Sequence, residues 1–303
     1  MAGARLQFVP LICLLTYLAS MPIYCLVRLA DQPAWIGPST ALTAASLFAF
    51  SLTYAIVQHG LRRAVAMLMA SFAIALTLEY LGSSYGFLFG EYDYTARLGP
   101  KLLGKVPAII PIAWFMMLYP SWMTAGHLLA SSSREGALRS SAARVGIAAL
   151  AMTAWDLSLD PRMVADGNWV WRTAGPYFGI PLSNYAGWFV TAAAIYVIWQ
   201  AIAGSQETTR ALSDGEALAA LGGVLGFRHW PVWAYIVTWL GETVANAIFW
   251  GGPLVALAVF LGMGVFGGPA LLNLWRSTQR RPTTRLSERW PEVSLTPLRR
   301  QRD

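Results

Sequence analysis

Charge is what this sequence has least of. Of its 303 residues only 12% are Asp, Glu, Lys or Arg, against roughly 25% in an ordinary soluble globular chain. That is too little polar surface to coat a soluble protein of this length. A soluble enzyme, a disordered chain and a collagen-like fibre are excluded together. Cysteine is nearly absent as well: Cys13 and Cys25 both lie in the first apolar stretch, so no disulfide framework is expected. There are three histidines, His59, His127 and His229, and no Cys/His cluster at ligand spacing, so no metal site is expected. No P-loop, GxGxxG or HExxH motif occurs, so no nucleotide or other cofactor is expected either. No internal repeat is visible.

Apolar residues take the place of charge. Hydrophobic residues make up 56% of the chain and aromatics 13%, and the mean hydropathy is +0.49. A hydrocarbon layer about 30 Å thick is crossed by roughly 20 apolar helical residues. Eight stretches are candidates: 8–27, 39–58, 64–82, 107–129, 144–159, 184–203, 232–250 and 254–274. The fifth is short and ends in acids, so seven is the fallback count. Gly251-Gly252-Pro253 reads as a hairpin turn between the last two. The first stretch is longer than the apolar core of a signal peptide, about 7–15 residues, and reads as a span. The expected architecture is therefore all-α: a polytopic transmembrane bundle over 1–275, followed by a basic, disordered tail over 276–303.

The basic residues orient this bundle. The formal net charge is +7. With the N-terminus inside, Arg28, Arg97, Lys101, Lys105, Arg162 and Arg172 fall on the outer side and the other 16 of the 22 Lys and Arg fall inside. Half of that inner set belongs to the tail. Both termini are therefore placed in the cytoplasm of a multi-pass protein of the cell membrane. The basic excess reads as topology and lipid-headgroup contact, and no nucleic-acid partner is expected. The inner stretch 211–227 is a candidate interfacial helix, and Gly264 with Gly268 forms a GxxxG packing face.

The acids carry the chemistry. Glu79 closes the third span and Asp156 the fifth, with Asp160 one helical turn on. If the helix persists, Asp156 and Asp160 share a face, although Pro161 predicts a stop at Asp160. A carboxyl at such a helix C-terminus faces the negative end of the macrodipole in apolar surroundings. Those conditions suit a proton donor. The plain alternative is an interfacial acid wetted by the headgroups. Glu242 and Asn246, four apart inside the seventh span, are a second candidate, with an interhelical hydrogen bond as the plain reading.

The two outer loops add rings. Tyr80, Tyr85, Phe87, Phe89, Tyr92 and Tyr94 follow the third span, and Trp169, Trp171, Tyr177, Phe178, Tyr185 and Trp188 follow the fifth. Some belong to an interfacial belt. Their clustering with acids points further, to a pocket for an apolar substrate in which rings stabilise a cation. Gly82-Ser83-Ser84-Tyr85-Gly86 matches GxSxG in letters only. Ser84 follows a transmembrane helix, and the histidines fall near the opposite side.

Four blocks in order are familiar: EYLGSSYGFLFGEYDY at 79–94, VPAIIPIAWFMMLYPSW at 106–122, DLSLDP at 156–161 and WVWRTAGPYFGIPLSNYAGWF at 169–189. Together they resemble the integral-membrane carotenoid biosynthesis proteins of the CruF type, the carotenoid 1,2-hydratase and bisanhydrobacterioruberin hydratase group. The resemblance covers about 75–190 and carries over at Glu79, Gly82, Tyr92, Tyr94, Trp114, Asp156, Asp160, Asn184, Gly187 and Trp188 among others. Outside that region it is mainly one of hydropathy. It implies addition of water across the terminal double bond of an acyclic carotenoid end, giving a tertiary alcohol. The substrate would be lycopene-, γ-carotene- or bisanhydrobacterioruberin-like, and other enzymes of the pathway are candidate partners.

That chemistry needs a general acid, a stabilised tertiary cation and a held water, and no redox centre. The expected catalytic residues are Asp156 or Asp160 as proton donor, with Glu79 holding water or balancing charge. Tyr85, Tyr92, Tyr94, Trp114, Trp169, Trp171, Tyr177, Asn184 and Trp188 are expected to line the polyene end. Glu242, Asn246 and Asp93 rank lower. Two rival readings remain. A cyclase or isomerase would use the same acid without water. A transporter or lipid-binding scaffold would need a polar path across the bilayer, whereas most membrane-depth acids here collect near one side.

Overall fold

A computed structural model describes residues 2–130, 141–203, 225–250 and 252–279. Its eight helices follow the apolar stretches: α1 (Ala2–Leu29), α2 (Pro33–His59), α3 (Leu61–Tyr85), α4 (Ile109–Ala130), α5 (Ser141–Ala165), α6 (Leu182–Ala203), α7 (Trp230–Ala245) and α8 (Gly252–Gln279). A π turn, Asn246–Trp250, prolongs α7. Two small antiparallel ribbons sit in the loops: β1 (Tyr92–Tyr94) with β4 (Trp169–Trp171), and β2 (Lys101–Leu102) with β3 (Val106–Pro107). The chain is an all-α, multi-pass membrane protein.

Seven of the eight helices are long and apolar enough to cross a membrane, all except α4. The reason lies in where α4 sits. It packs against α2, α3, α5, α7 and α8, and Trp114, Phe115, Met117, Leu118, Tyr119 and Trp122 are all buried. A helix surrounded by helices meets little lipid, so rings and prolines can replace aliphatic residues in it. Pro120 lacks an N–H and leaves the carbonyl of Met116, one turn back, without its helical donor. Ser51 of α2 donates its hydroxyl to that carbonyl at 2.7 Å.

The same device corrects the expected end of α5. Pro161 does not stop the helix, which runs on to Ala165. The carbonyl freed by Pro161 belongs to Leu157, and it accepts the hydroxyl of Tyr177 at 2.9 Å. A tertiary contact thus satisfies the group that would otherwise favour termination. Two other boundaries move. α8 continues through Arg276–Gln279, past the expected start of the tail, while 280–303 lie outside the described residues. The candidate interfacial helix at 211–227 also lies outside them up to 224, and 227–229 form a 3₁₀ turn. Of the Gly251-Gly252-Pro253 turn, residue 251 lies outside the described residues and α8 starts at Gly252. Of the expected Gly264–Gly268 packing pair, Gly264 faces Trp239, as Gly267 also does, whereas Gly268 meets nothing within 4 Å.

Polar groups separate to the two ends of the bundle. At one end Arg28 pairs with Asp166, Nη2 to Oδ2 at 2.5 Å, and Trp250 Nε1 donates to Asp166 Oδ1 at 3.0 Å. At the other, His59 lies 3.0 Å from the Tyr119 hydroxyl and His127 stands edge-on to His229. With α4 counted as an eighth crossing beside the seven long apolar helices, the chain returns to the side on which it began. Reporter fusions are expected to place the N-terminus and the Arg62–Arg63 turn in the cytoplasm, and the loops carrying Asp93 and Asp166 outside. A cytoplasmic signal from the Asp166 loop would reverse the orientation.

Candidate active site

Helical spacing builds the first half of the site. Asp156 and Asp160 are four apart on α5 and project from one face, and both are buried. Asn184, in the first turn of α6, stands opposite. Its Nδ2 donates to Asp156 Oδ2 at 2.6 Å and to Asp160 Oδ2 at 2.7 Å. One amide group therefore joins two carboxyls with its two hydrogens. Asp160 Oδ1 accepts the indole N–H groups of Trp169 at 2.7 Å and Trp171 at 3.0 Å. Asp156 Oδ1 has no hydrogen-bond partner among the described residues.

The second half is Glu79 on α3, also buried. Its Oε2 accepts the hydroxyls of Tyr92 at 2.5 Å and Tyr94 at 2.7 Å, and its Oε1 accepts Trp114 Nε1 at 3.0 Å. Burial, and after it the Glu79 carboxylate, push both phenols well above their ordinary range. They remain protonated donors. Glu79 is an acceptor held by three donors from two elements, which fixes its orientation. None of the three acids lies at a helix C-terminus as expected. α3 runs on to Tyr85 and α5 to Ala165. The dipole acts within about one terminal turn, so it does not set their behaviour; the hydrogen-bond partners do.

The loop aromatics close the site from one end. Pairing of β1 with β4 sets Tyr92 opposite Trp171, Asp93 opposite Val170 and Tyr94 opposite Trp169. Strand residues alternate faces. The four rings point inward, with Tyr92 5.0 Å from Trp171 and Tyr94 5.7 Å from Trp169. Asp93 and Val170 point outward. Beneath this lid Trp114 stacks on Trp188 at 4.2 Å, and Trp155 meets Trp188 edge-on. Between lid and stack lies a cavity. Glu79, Asp160 and Asn184 are its polar wall; Tyr92, Tyr94, Trp114, Trp169, Trp171 and Trp188 are its rings. Asp156 stands behind Asp160 and Asn184, outside the lining.

Most of the expected residues are thus brought together, and five are not: Tyr85, Tyr177, Asp93, Glu242 and Asn246. Tyr85 is 72% exposed at the end of α3 and does not line the cavity. Tyr177 supports the α5 backbone instead. Asp93 faces outward and pairs with Arg172 at 2.7 Å; those hydrogen bonds hold its carboxyl below the usual range. Glu242 is engaged elsewhere. Arg162 Nη1 reaches its Oε1 at 3.0 Å and Ser158 donates to its Oε2 at 2.6 Å, while Asn246 Nδ2 donates to Ser158 Oγ at 2.7 Å. Arg162, expected in an outer loop, is therefore a largely enclosed ion-pair partner inside α5. The lining residues Ile110, Ala113 and Trp155 carry no expectation from the sequence, and Phe89 figures there only as one of the clustered loop rings, without an assigned role. For Trp155 the adjacent Asp156 was an available signal; an apolar residue such as Ala113 offers none.

These features define a class: a polytopic helical membrane protein with two buried carboxyls, Glu79 and Asp160, on the wall of an aromatic cavity and a third, Asp156, behind them. Residues 37–265 match the family described as "Carotenoid biosynthesis protein", and the chain belongs to that family. Over 192 residues it is 29% identical to the bisanhydrobacterioruberin hydratase of Haloarcula japonica, a match covering 63% of this chain and 61% of the relative. The chain thus spans about three fifths of that relative's length. No solved structure matches.

Proposed function

We propose that the protein is a carotenoid hydratase of the cell membrane. It adds water across the terminal C1,2 double bond of an acyclic carotenoid end and forms a tertiary alcohol. The observation that carries this is the Asp156–Asn184–Asp160 unit on the wall of an aromatic cavity that also holds Glu79. The unit supplies the proton, with Asp160 meeting the double bond and Asp156 standing in reserve. The proton adds to C2 and leaves a tertiary cation at C1. The faces of Trp114, Trp169, Trp171 and Trp188 and the Glu79 carboxylate stabilise it. Water bonds to C1, its surplus proton passes to a carboxylate of the site, and the acid is restored. Hydration has no net redox change, and this scheme asks for no cofactor or metal. The cavity takes only the end of the polyene; the rest stays in the bilayer or between helices.

The 29% relative is named for a hydration, which supports water as the nucleophile here. The expected result is a product heavier than the carotenoid by one water, formed by purified protein in detergent with chelator present and no nucleotide added. A product of unchanged mass would mean that an alkene captures the cation, making the protein a cyclase or isomerase. Loss of activity on chelation, restored by one metal, would overturn the acid-only mechanism.

A further inference from the structure

The loop after α3 turns back on itself and drives one ring into the bundle. Gly86, Leu88 and Gly90 all have positive φ, at 68°, 65° and 105°, so the chain reverses within five residues. Leu88 is an apolar residue in a backbone region that favours glycine. The turn is pinned at several points. Gly90 N–H donates to Gly86 O at 3.1 Å, Ser183 Oγ donates to Phe89 O at 2.9 Å, and Arg172 N–H donates to Glu91 O at 2.9 Å.

What the turn holds in place is Phe89, buried and on the cavity wall. The ring is gripped from two helices. A Cβ at Gly82 of α3 would come within 2.6 Å of Cδ2, and a Cβ at Gly187 of α6 within 2.6 Å of Cδ1. Real Cβ atoms essentially never approach so closely, so both positions are bare because the ring occupies the slot between α3 and α6. Phe89 takes no part in the acid network and has no polar atom to offer the reaction.

Resting on the reading of this cavity as the seat of a carotenoid end, we infer that Phe89 is the specificity-determining residue of the site. It is a fixed steric stop that closes the cavity between α3 and α6 and limits it to the girth of an acyclic, dimethyl-bearing end. A swinging gate is disfavoured by the pinned turn. Removing the ring opens the slot between Gly82 and Gly187 to the cavity. A bulkier end, such as a cyclised one, then fits.

The test reads bound pigment and not product. Membranes containing wild-type protein, Phe89→Leu or Phe89→Ala are supplied with equal amounts of two polyenes, one acyclic at both ends and one ring-closed at both. The protein is purified and the retained pigments are quantified. Wild type is expected to retain the acyclic polyene. Phe89→Ala should shift the ratio toward the ring-closed one by at least about tenfold, the least that one misfitting group is worth in an apolar pocket, with Phe89→Leu between. Phe89→Leu keeps most of the buried volume, so it reports even where the alanine variant fails to fold. An unchanged ratio in folded Phe89→Leu and Phe89→Ala would overturn the assignment and leave Phe89 as packing. Because no turnover is needed, a protein that retains pigment with the expected shift yet forms no alcohol supports the stop while refuting the hydration reading.

Discussion

Asp160→Asn is expected to lose about 10²–10⁴-fold of its turnover, the usual worth of a general acid, while inserting and folding as the parent does. The amide keeps the size of the carboxyl but cannot give up a proton to carbon. Asp160 is the member of the pair on the cavity wall, and it is held by Trp169, Trp171 and Asn184. Asp156→Asn should lose most of the rate too, because Asn184 ties both carboxyls into one unit and Asp156 Oδ1 is open to carry a proton. Glu79→Gln should slow the reaction and, if Glu79 positions water, release cyclised or isomerised product beside the alcohol. Asp31→Asn is the control: Asp31 is exposed in the α1–α2 turn and is not part of the cavity wall. The decisive measurement is alcohol formed per inserted protein in a host supplying an acyclic carotenoid. Near-normal formation by both aspartate variants at wild-type levels would sink the scheme. The next candidate would then be Glu79, which lines the cavity, and not Glu242, whose oxygens are taken by Arg162 and Ser158.

Glu242→Ala is expected to act on stability instead. The Arg162–Glu242 pair is nearly closed off, with side chains 16% and 10% exposed. Removing one partner of such a pair leaves the other charge uncompensated, at a cost of about 3–5 kcal/mol. Arg162 would keep only weaker contacts, such as the Trp250 ring 5.4 Å from its guanidinium carbon. The variant should unfold at a markedly lower temperature in detergent, yet each molecule that remains folded should turn over at near the parental rate. Replacing both partners with apolar residues of similar size should recover much of the loss. The opposite pattern, unchanged stability with abolished turnover, would make Glu242 part of the chemistry.

Much of this protein was settled by its sequence alone, because bilayer insertion is read from local composition. Twelve percent charge leaves a membrane bundle as the fold, and runs of about 20 apolar residues locate the helices, although several ends lie five or six residues further out than expected. Residues four apart share a helix face, so the Asp156–Asp160 pairing was legible, as was the gathering of Glu79, Tyr92, Tyr94, Trp114, Trp169, Trp171, Asn184 and Trp188. What required the tertiary structure was which faces meet. That α5 continues through Pro161 depends on the Tyr177 hydroxyl reaching Leu157 from a loop 20 residues away. That the ring clusters form a paired lid depends on β1 meeting β4 across α4 and α5. Glu242 and Asp160 are both acids inside apolar helices, and no local pattern separates them. One finds a guanidinium and the other a cavity, because a buried carboxyl takes its role from its partners, and packing alone supplies these.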